Sequence, residues 1–365
     1  MTTVERLDVA VFEFPLEEPE ADGTLTWDST TIVVVEAGAG DAVGVGYTYG
    51  SRACAAVIEE KLRDVVVGSD VADVAGTWGA MVRSIRNLGR PGVVSHAISA
   101  VDAALWDLEA RVLGISLVEL LGPVRDEVPV YGSGGFTSLS DEELERQLLG
   151  WVRDHGIPRV KIKVGEDWGR RADRDIARVR FARSVVGDDV ELYVDANGAY
   201  SRKQAVRMAR SLAESGVTWF EEPVSSDDLE GLHAIRDLID IDVAAGEYGY
   251  DLAYFARMLG AGAVNCLQAD VTRCGGITEF LRVAALAAAH GIELSAHCAP
   301  AVSAAPCAAV PNFRHLEHFA DHERIEALAF DGVLDPKDGV IRPDRSAPGT
   351  GLTVKHQDIE RFRRS

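Results

Sequence analysis

The sequence predicts an α/β fold, a (β/α)8 TIM barrel preceded by a smaller α+β domain. Three observations carry this prediction. Asp195, Glu221, Glu247, Asp270, His297 and Glu317 follow one another at intervals of 26, 26, 23, 27 and 20 residues, each the length of one strand plus one helix. Each ends or lies within a short strand-like run such as ELYVD, TWFE or VAAGE, with helical stretches between most of them. A chain of 365 residues is long enough for a full barrel and a second domain. Units of this kind deliver charged groups to one end of a parallel sheet, and barrel active sites collect at the carboxyl ends of the strands.

Residues 1–125 read as the α+β domain. LDVAVFEF, TTIVVVEAG and AVGVGYTYG are valine-rich runs punctuated by glycine, which predicts antiparallel strands. The first two are joined by a polar stretch, Pro15 to Asp28, expected as a loop with Trp27 as its main aromatic residue. From Arg52 to Leu121 the pattern is helical. Ile98, Val101, Leu105, Leu108 and Val112 recur at spacings of three and four, the apolar face of an amphipathic helix. Residues 126–330 form the expected barrel, with strands at VPVYGSGG, RVKIKV, ELYVDAN, TWFEEP, DVAAGE, AVNCLQAD, IELSAHC and RHLEHF. Residues 331–365, rich in Gly, Pro and Asp, are expected to fold back on the first domain.

Composition narrows the function. The chain has 37 basic and 58 acidic residues, a net charge of -21, which argues against nucleic acid and against an anionic membrane surface. A small anionic substrate is still admissible, because a bound cation and local lysines outweigh a global field. The cysteines, Cys54, Cys266, Cys274, Cys298 and Cys307, are odd in number and contain no CxxC. That is neither a disulfide framework nor a zinc ribbon, and it predicts a reducing cytoplasm. No signal peptide and no apolar run of membrane-spanning length is read.

The chemistry lies in the strand-end residues. Asp195, Glu221 and Glu247 would repel one another unless a cation sat between them, and a hard oxygen site with open positions fits Mg²⁺. One such acid alone would be read as a solvated loop residue or a helix N-cap; three at matching strand ends are not. Lys161 and Lys163, two apart on a strand, share a face. Val160, Ile162 and Val164 alternate with them, so the lysines are expected to face the barrel interior. Like charge and burial lower a lysine pKa, which would make one of them a base near neutral pH. Asp270 and His297 end neighbouring strands, where the carboxylate would orient the imidazole and fix its tautomer. Glu317 is placed to hydrogen-bond across the site, and Asn197 to bind a substrate hydroxyl. Arg273 would bind a remote carboxylate or pair with a surface acid. A cation, two lysines and a His–Asp pair together point to abstraction of a proton α to a carboxylate.

These residues resemble the enolase superfamily, specifically its mandelate racemase subgroup. The resemblance rests on K-I-K at 161–163, D-A-N at 195–197, E-E-P at 221–223, G-E at 246–247, Asp270 and His297, all in order. It implies an α+β capping domain and a modified barrel of the (β/α)7β type. It also implies Asp195, Glu221 and Glu247 as Mg²⁺ ligands, Lys163 as a base with Lys161 beside it, and His297 paired with Asp270 as acid/base on the other face. Glu317 becomes the electrophilic partner of an enediolate. A lysine on the side of the sixth strand, the dipeptide epimerase or muconate cycloisomerase pattern, is absent. The implied activity is dehydration of an acid sugar to a 2-keto-3-deoxy acid. A 2-hydroxy-acid racemase or epimerase and a sugar-lactone cycloisomerase are the alternatives. A non-catalytic sugar-acid binding protein would have lost a ligand or base, and none is lost; a phosphate-binding barrel would carry glycines after His297, where CAPAVSAAPCAAVP stands instead. Trp27 and its polar stretch suit a polyhydroxylated carboxylate, and the resemblance implies a homo-oligomer.

Overall fold

A computed structural model describes residues 2–364. The chain opens with an antiparallel meander, β1 (Arg6–Ala21), β2 (Thr26–Ala39) and β3 (Ala42–Tyr49), to which the short strand Arg363–Arg364 adds beside β1. The stretch expected as a loop is instead the far end of the β1–β2 hairpin. The ladder continues past an irregularity between Pro15 and Glu20 to the pair Ala21–Thr26, leaving only a four-residue turn. Polar residues continue a strand here because backbone pairing does not depend on side-chain polarity.

The meander buries both faces. Phe12, Phe14, Ile32, Val34, Val45 and Tyr47 join the core shared with the barrel, while Val33, Val35 and Ala37 join a second core under the helices. The helix Val93–Leu113 crosses β3 so closely that a Cβ on Gly46 would lie 2.2 Å from the Ala100 carbonyl oxygen. Ile98, Val101, Leu105 and Leu108 are buried as their spacing requires. Val112 is exposed, because it falls in the last turn, beyond the edge of the sheet.

Eight parallel strands then close a barrel. They are β4 (Val128–Gly134), β5 (Arg159–Lys163), β6 (Glu191–Asp195), β7 (Val217–Glu221), β8 (Asp242–Ala245), β9 (Cys266–Ala269), β10 (Glu293–Ala296) and β11 (Phe313–Phe319). Each pairs with the next, and β11 pairs with β4. Seven strand–helix units and an eighth strand complete the ring, matching the expected fold class. The helix after β11, Ala320–Ala329, turns toward the cap: Glu326 accepts from the Tyr47 hydroxyl at 2.5 Å, and the Tyr49 ring stacks on His322. All five cysteines are free and buried. Among the described residues no helix is long and apolar enough to cross a membrane.

Buried polar contacts also cross the seam between cap and barrel. Asp102 of the long helix accepts from the Thr278 backbone N–H at 2.9 Å and its hydroxyl at 2.6 Å, at the start of helix Gly276–Ala289. Burial, opposed by these hydrogen bonds, pushes the Asp102 carboxyl up to about 7. Below its ordinary value the group is protonated in both folded and unfolded chains. Between there and about pH 7 the unfolded chain gives up the proton and the folded one keeps it, so folding is penalised progressively. Stability is therefore expected to fall as pH rises from about 4 to 7, and Asp102→Asn should remove that part of the slope. Denaturant midpoints across this range test it; equal slopes in both proteins would contradict the assignment.

Candidate active site

The register of the parallel ladder builds the site. Lys163 lies opposite Asp195, and Asp195 opposite Glu221, so three charged groups share one level at the carboxyl end of β5, β6 and β7. One level lower, Lys161 lies opposite Tyr193 and Tyr193 opposite Trp219. Side chains two apart point the same way, so both lysines face the interior while Val160, Ile162 and Val164 pack outward in the core. Glu247, Asp270 and His297 sit one or two residues beyond the last residues of β8, β9 and β10, and Glu317 lies within β11. Tyr131, Tyr193 and Trp219 floor the site, with the Lys161 ammonium 5.2 Å from the Tyr131 ring centre.

Asp195, Glu221 and Glu247 are buried and offer oxygens that all lie within 4.8 Å of one another. Asp195 accepts from Lys163 Nζ at 2.5 Å and from the Asn197 backbone N–H at 2.9 Å. Glu221 accepts from Lys161 Nζ at 2.6 Å and from Trp219 Nε1 at 2.9 Å, so each of its oxygens is held. Burial, followed by the charge of Asp195, pushes the Glu221 carboxyl up to about 8. That excess of negative charge, on an all-oxygen donor set, fits a hard divalent cation such as Mg²⁺.

The lysines differ from the sequence expectation. Burial disfavours the Lys161 ammonium, but Glu221 and Glu317 hold its pKa well above the usual range. For Lys163 burial is likewise outweighed, chiefly by Asp195. Like-charge repulsion between the lysines loses to the closer carboxylates. A cation among those carboxylates would offset the charge that holds the lysine protons.

His297 occupies the opposite wall. β10 and β5 are separated by three strand steps one way round the ring and five the other. His297 Nδ1 is 2.7 Å from Asp270, whose other oxygen accepts from the Thr272 backbone N–H and hydroxyl. Its Nε2 faces Glu247 at 3.2 Å and Glu317 at 3.6 Å. Burial opposes its charge, yet Cys298, then Glu247 and Glu317, raise its pKa well above the ordinary value. Glu317 accepts from Lys161 at 2.8 Å and from Ser133 at 2.6 Å; burial works against its ionisation, but Lys161 and His297 hold its carboxyl well below the usual range. Arg273 lies between Asp270 at 3.3 Å and Glu247 at 3.4 Å, so the acids it meets belong to the site and not to the surface.

A cavity of about 370 Å³ separates these groups from the cap. Lys163, Asn197, Glu247, Arg273, His297 and Glu317 line its barrel side. Asp22, Trp27, Ser29, Thr30 and Thr31 line its cap side. Trp27 packs edge-on against Phe136 and donates to Glu20 at 3.2 Å. The Asn197 side-chain oxygen is buried without a partner.

Four neighbours escaped sequence reasoning. Ser133, the last residue but one of β4, braces Glu317, a position marked only by its place in VPVYGSGG. Trp219 braces Glu221 from two residues earlier on the same strand. Glu222, the second acid of E-E-P, is buried with one oxygen unpartnered; burial and then Glu247 raise its pKa well above the usual range. Cys298 touches both His297 and Glu317, because φ values of +49° and +46° at Cys298 and Ala299 bend the chain back on itself. The signals for the last two are backbone turns, which side-chain patterns do not encode.

Comparison with known proteins agrees with this architecture. Residues 5–122 match the mandelate racemase/muconate lactonizing enzyme N-terminal domain, and residues 143–359 match an enolase C-terminal domain-like family. L-talarate/galactarate dehydratase of Salmonella typhimurium LT2 is 32% identical over 97% of this chain and 89% of its own. A variant of an L-talarate/galactarate dehydratase, crystallised with Mg and L-glucarate, superimposes with a TM-score of 0.91 at 30% identity, covering 99% of this chain and 92% of its own. The 3,6-anhydro-α-L-galactonate cycloisomerase of Streptomyces coelicolor is 32% identical over 99% of both chains. A mandelate racemase/muconate lactonizing enzyme-like protein from Rubrobacter xylanophilus is 51% identical with a TM-score of 0.96, covering 99% of this chain and all of its own. With both halves of the family architecture matched across nearly its whole length, the chain belongs to the mandelate racemase/muconate lactonizing enzyme family of the enolase superfamily.

Proposed function

We propose that this enzyme removes the proton α to the carboxylate of a polyhydroxylated acid and expels the β-hydroxyl, giving a 2-keto-3-deoxy acid. The observation that carries the reading is the placement of Lys163 and His297 on opposite walls of one cavity, with three buried carboxylates between them. Asp195, Glu221 and Glu247 would hold Mg²⁺, which when bound offsets the negative charge that develops on the substrate carboxylate. Lys161, held by Glu221 and Glu317, adds fixed positive charge beside that carboxylate. Lys163 takes the α-proton. His297, oriented by Asp270, gives its proton to the departing hydroxyl, so that water leaves and the resulting enol becomes the ketone. Glu317 hydrogen-bonds the enediolate once it carries a proton.

The cap side of the cavity supports a monocarboxylate with several hydroxyls. Ser29, Thr30, Thr31 and Asn197 supply hydroxyl partners. Asp22 and Asp321 make the distal wall acidic, and Arg273 is already committed to Asp270 and Glu247. A second carboxylate there would meet like charge. Two bases on opposite walls also support a second reading, 1,1-proton transfer without loss of water, as in a racemase or epimerase, and the cycloisomerase relative adds cycloisomerisation to that class. Free buried thiols fit a reducing cytoplasm, and the exposed Leu25 at the hairpin tip, beside exposed Trp168, fits assembly into a homo-oligomer.

Proton NMR in D₂O with Mg²⁺ against hexonates, pentonates, hexarates and mandelate tests the reaction. Loss of the α-proton with new 3-deoxy methylene signals is expected for an aldonate. Deuterium exchange without loss of water establishes the second reading, and preference for a hexarate overturns the monocarboxylate assignment. Lys163→Ala and His297→Asn should each lower kcat by about 100-fold or more with the fold intact; full activity in either removes that residue from the mechanism. Excess EDTA should silence turnover and added Mg²⁺ restore it. Asp270→Asn should lower the His297 pKa by about one unit or more, read from its imidazole signals. An unchanged titration would mean that Asp270 does not support the imidazolium.

A further inference from the structure

We propose that His297, Cys298 and Glu317 form a second metal site, adjoining the three-carboxylate cluster at Glu247, which lies 3.2 Å from His297 Nε2, and selective for a soft or borderline cation such as Zn²⁺. The three side chains converge on one point of the cavity wall. Cys298 Sγ is 3.3 Å from His297 Nε2 and 3.4 Å from Glu317 Oε2, and the latter two atoms are 3.6 Å apart. A tetrahedral zinc with bonds of about 2.0 to 2.3 Å holds its ligand atoms about 3.3 to 3.6 Å from one another. The triangle therefore already has the edges of one face of a zinc tetrahedron.

The surroundings are those of a supported site. His297 directs its other ring nitrogen to Asp270 at 2.7 Å, the carboxylate–histidine arrangement that orients a metal-bound imidazole. Glu317 has its other oxygen held by Ser133 at 2.6 Å and Lys161 at 2.8 Å, leaving Oε2 toward the thiol. In an extended strand Cys298 would point away from His297. The left-handed turn at Cys298 and Ala299 brings the thiol to the same side. All three residues line the cavity, so a path of entry exists.

Donor chemistry separates the two clusters. The carboxylate set is hard and favours Mg²⁺, whereas thiolate and imidazole favour Zn²⁺. Binding releases two protons, the thiol proton of Cys298 and the Nε2 proton of His297, whose lone pair then goes to the metal. On the reading of His297 as acid/base, which this consequence rests on, zinc at this site blocks proton transfer and acts as an inhibitor.

Co²⁺ added to the full-length protein in excess Mg²⁺ provides a probe that does not depend on turnover. One equivalent should produce a thiolate-to-cobalt charge-transfer band in the near ultraviolet, lost in both Cys298→Ala and Cys298→Ser. A band that persists in either folded variant, or no band in the parent protein, overturns the site. Zn²⁺ affinity under the same conditions should fall at least about tenfold in each variant. The ratio of turnover with and without Zn²⁺ reads the functional consequence: it should rise toward one in the variants. Zinc inhibition that Mg²⁺ reverses and that both variants leave unchanged would place the zinc among the carboxylates and overturn the proposal. If no acid in the panel turns over, the cobalt band still decides whether the site exists.

Discussion

Buried charge of both signs is the constraint on which the site depends. At the carboxyl end of the barrel, Asp195, Glu221, Glu247, Asp270 and Glu317 are withdrawn from water together with Lys161, Lys163 and His297, with the half-buried Arg273 at their edge. None of these groups is tolerable alone, since an unpaired buried ion costs several kcal/mol. Each carboxylate therefore has a cation or an oriented dipole against it, and the β5–β6–β7 register decides which. A one-residue slip of β6 would turn Asp195 outward and leave Lys163 opposite Val194 or Ala196, without a counter-charge. The fold's register and the site's charge balance are thus one requirement.

The same requirement explains the depth of the support beneath the site. Trp219, Thr272 and the Asn197 backbone N–H each donate to a carboxylate oxygen that no cation of the site holds, and Ser133 joins Lys161 on one oxygen of Glu317. These donors fix the angle at which each acid faces the cavity, and the cap closes the cavity from above with Trp27 on Phe136 and Tyr49 on His322. The Tyr47–Glu326 and Asp102–Thr278 bonds tie the cap to the barrel at separate points. The cap-side and barrel-side linings of the cavity are held in one frame because cap and barrel share a core.

Much of this was legible in the sequence because the barrel repeats. Spacing alone brought Asp195, Glu221, Glu247, Asp270, His297 and Glu317 to one rim, and alternation in RVKIKV turned both lysines inward. What escaped were features set by tertiary geometry. Whether Lys163 gains or loses a proton depends on Asp195 lying 2.5 Å away on another strand, which periodicity does not report. The hairpin end was hidden because strand pairing at Glu20 and Trp27 is a backbone matter. Val112 has the spacing of its helix face but lies past the sheet it would cover. Glu222 and Cys298 reach the site through left-handed turns invisible to side-chain patterns.

Those turns carry an engineering consequence. Asn197, Glu222, Cys298 and Ala299 all have φ between +38° and +49°, and all lie within three residues of the ends of β6, β7 and β10. Each costs about 1 kcal/mol or more relative to a relaxed backbone. The rim is therefore a reservoir of conformational frustration in an otherwise regular barrel. Selection for thermal robustness alone would drift toward glycine at these positions and loosen the loops that aim the functional groups. Durable variants of this scaffold are better sought at the amino-terminal end of the strands, where rigidity and reactivity do not compete.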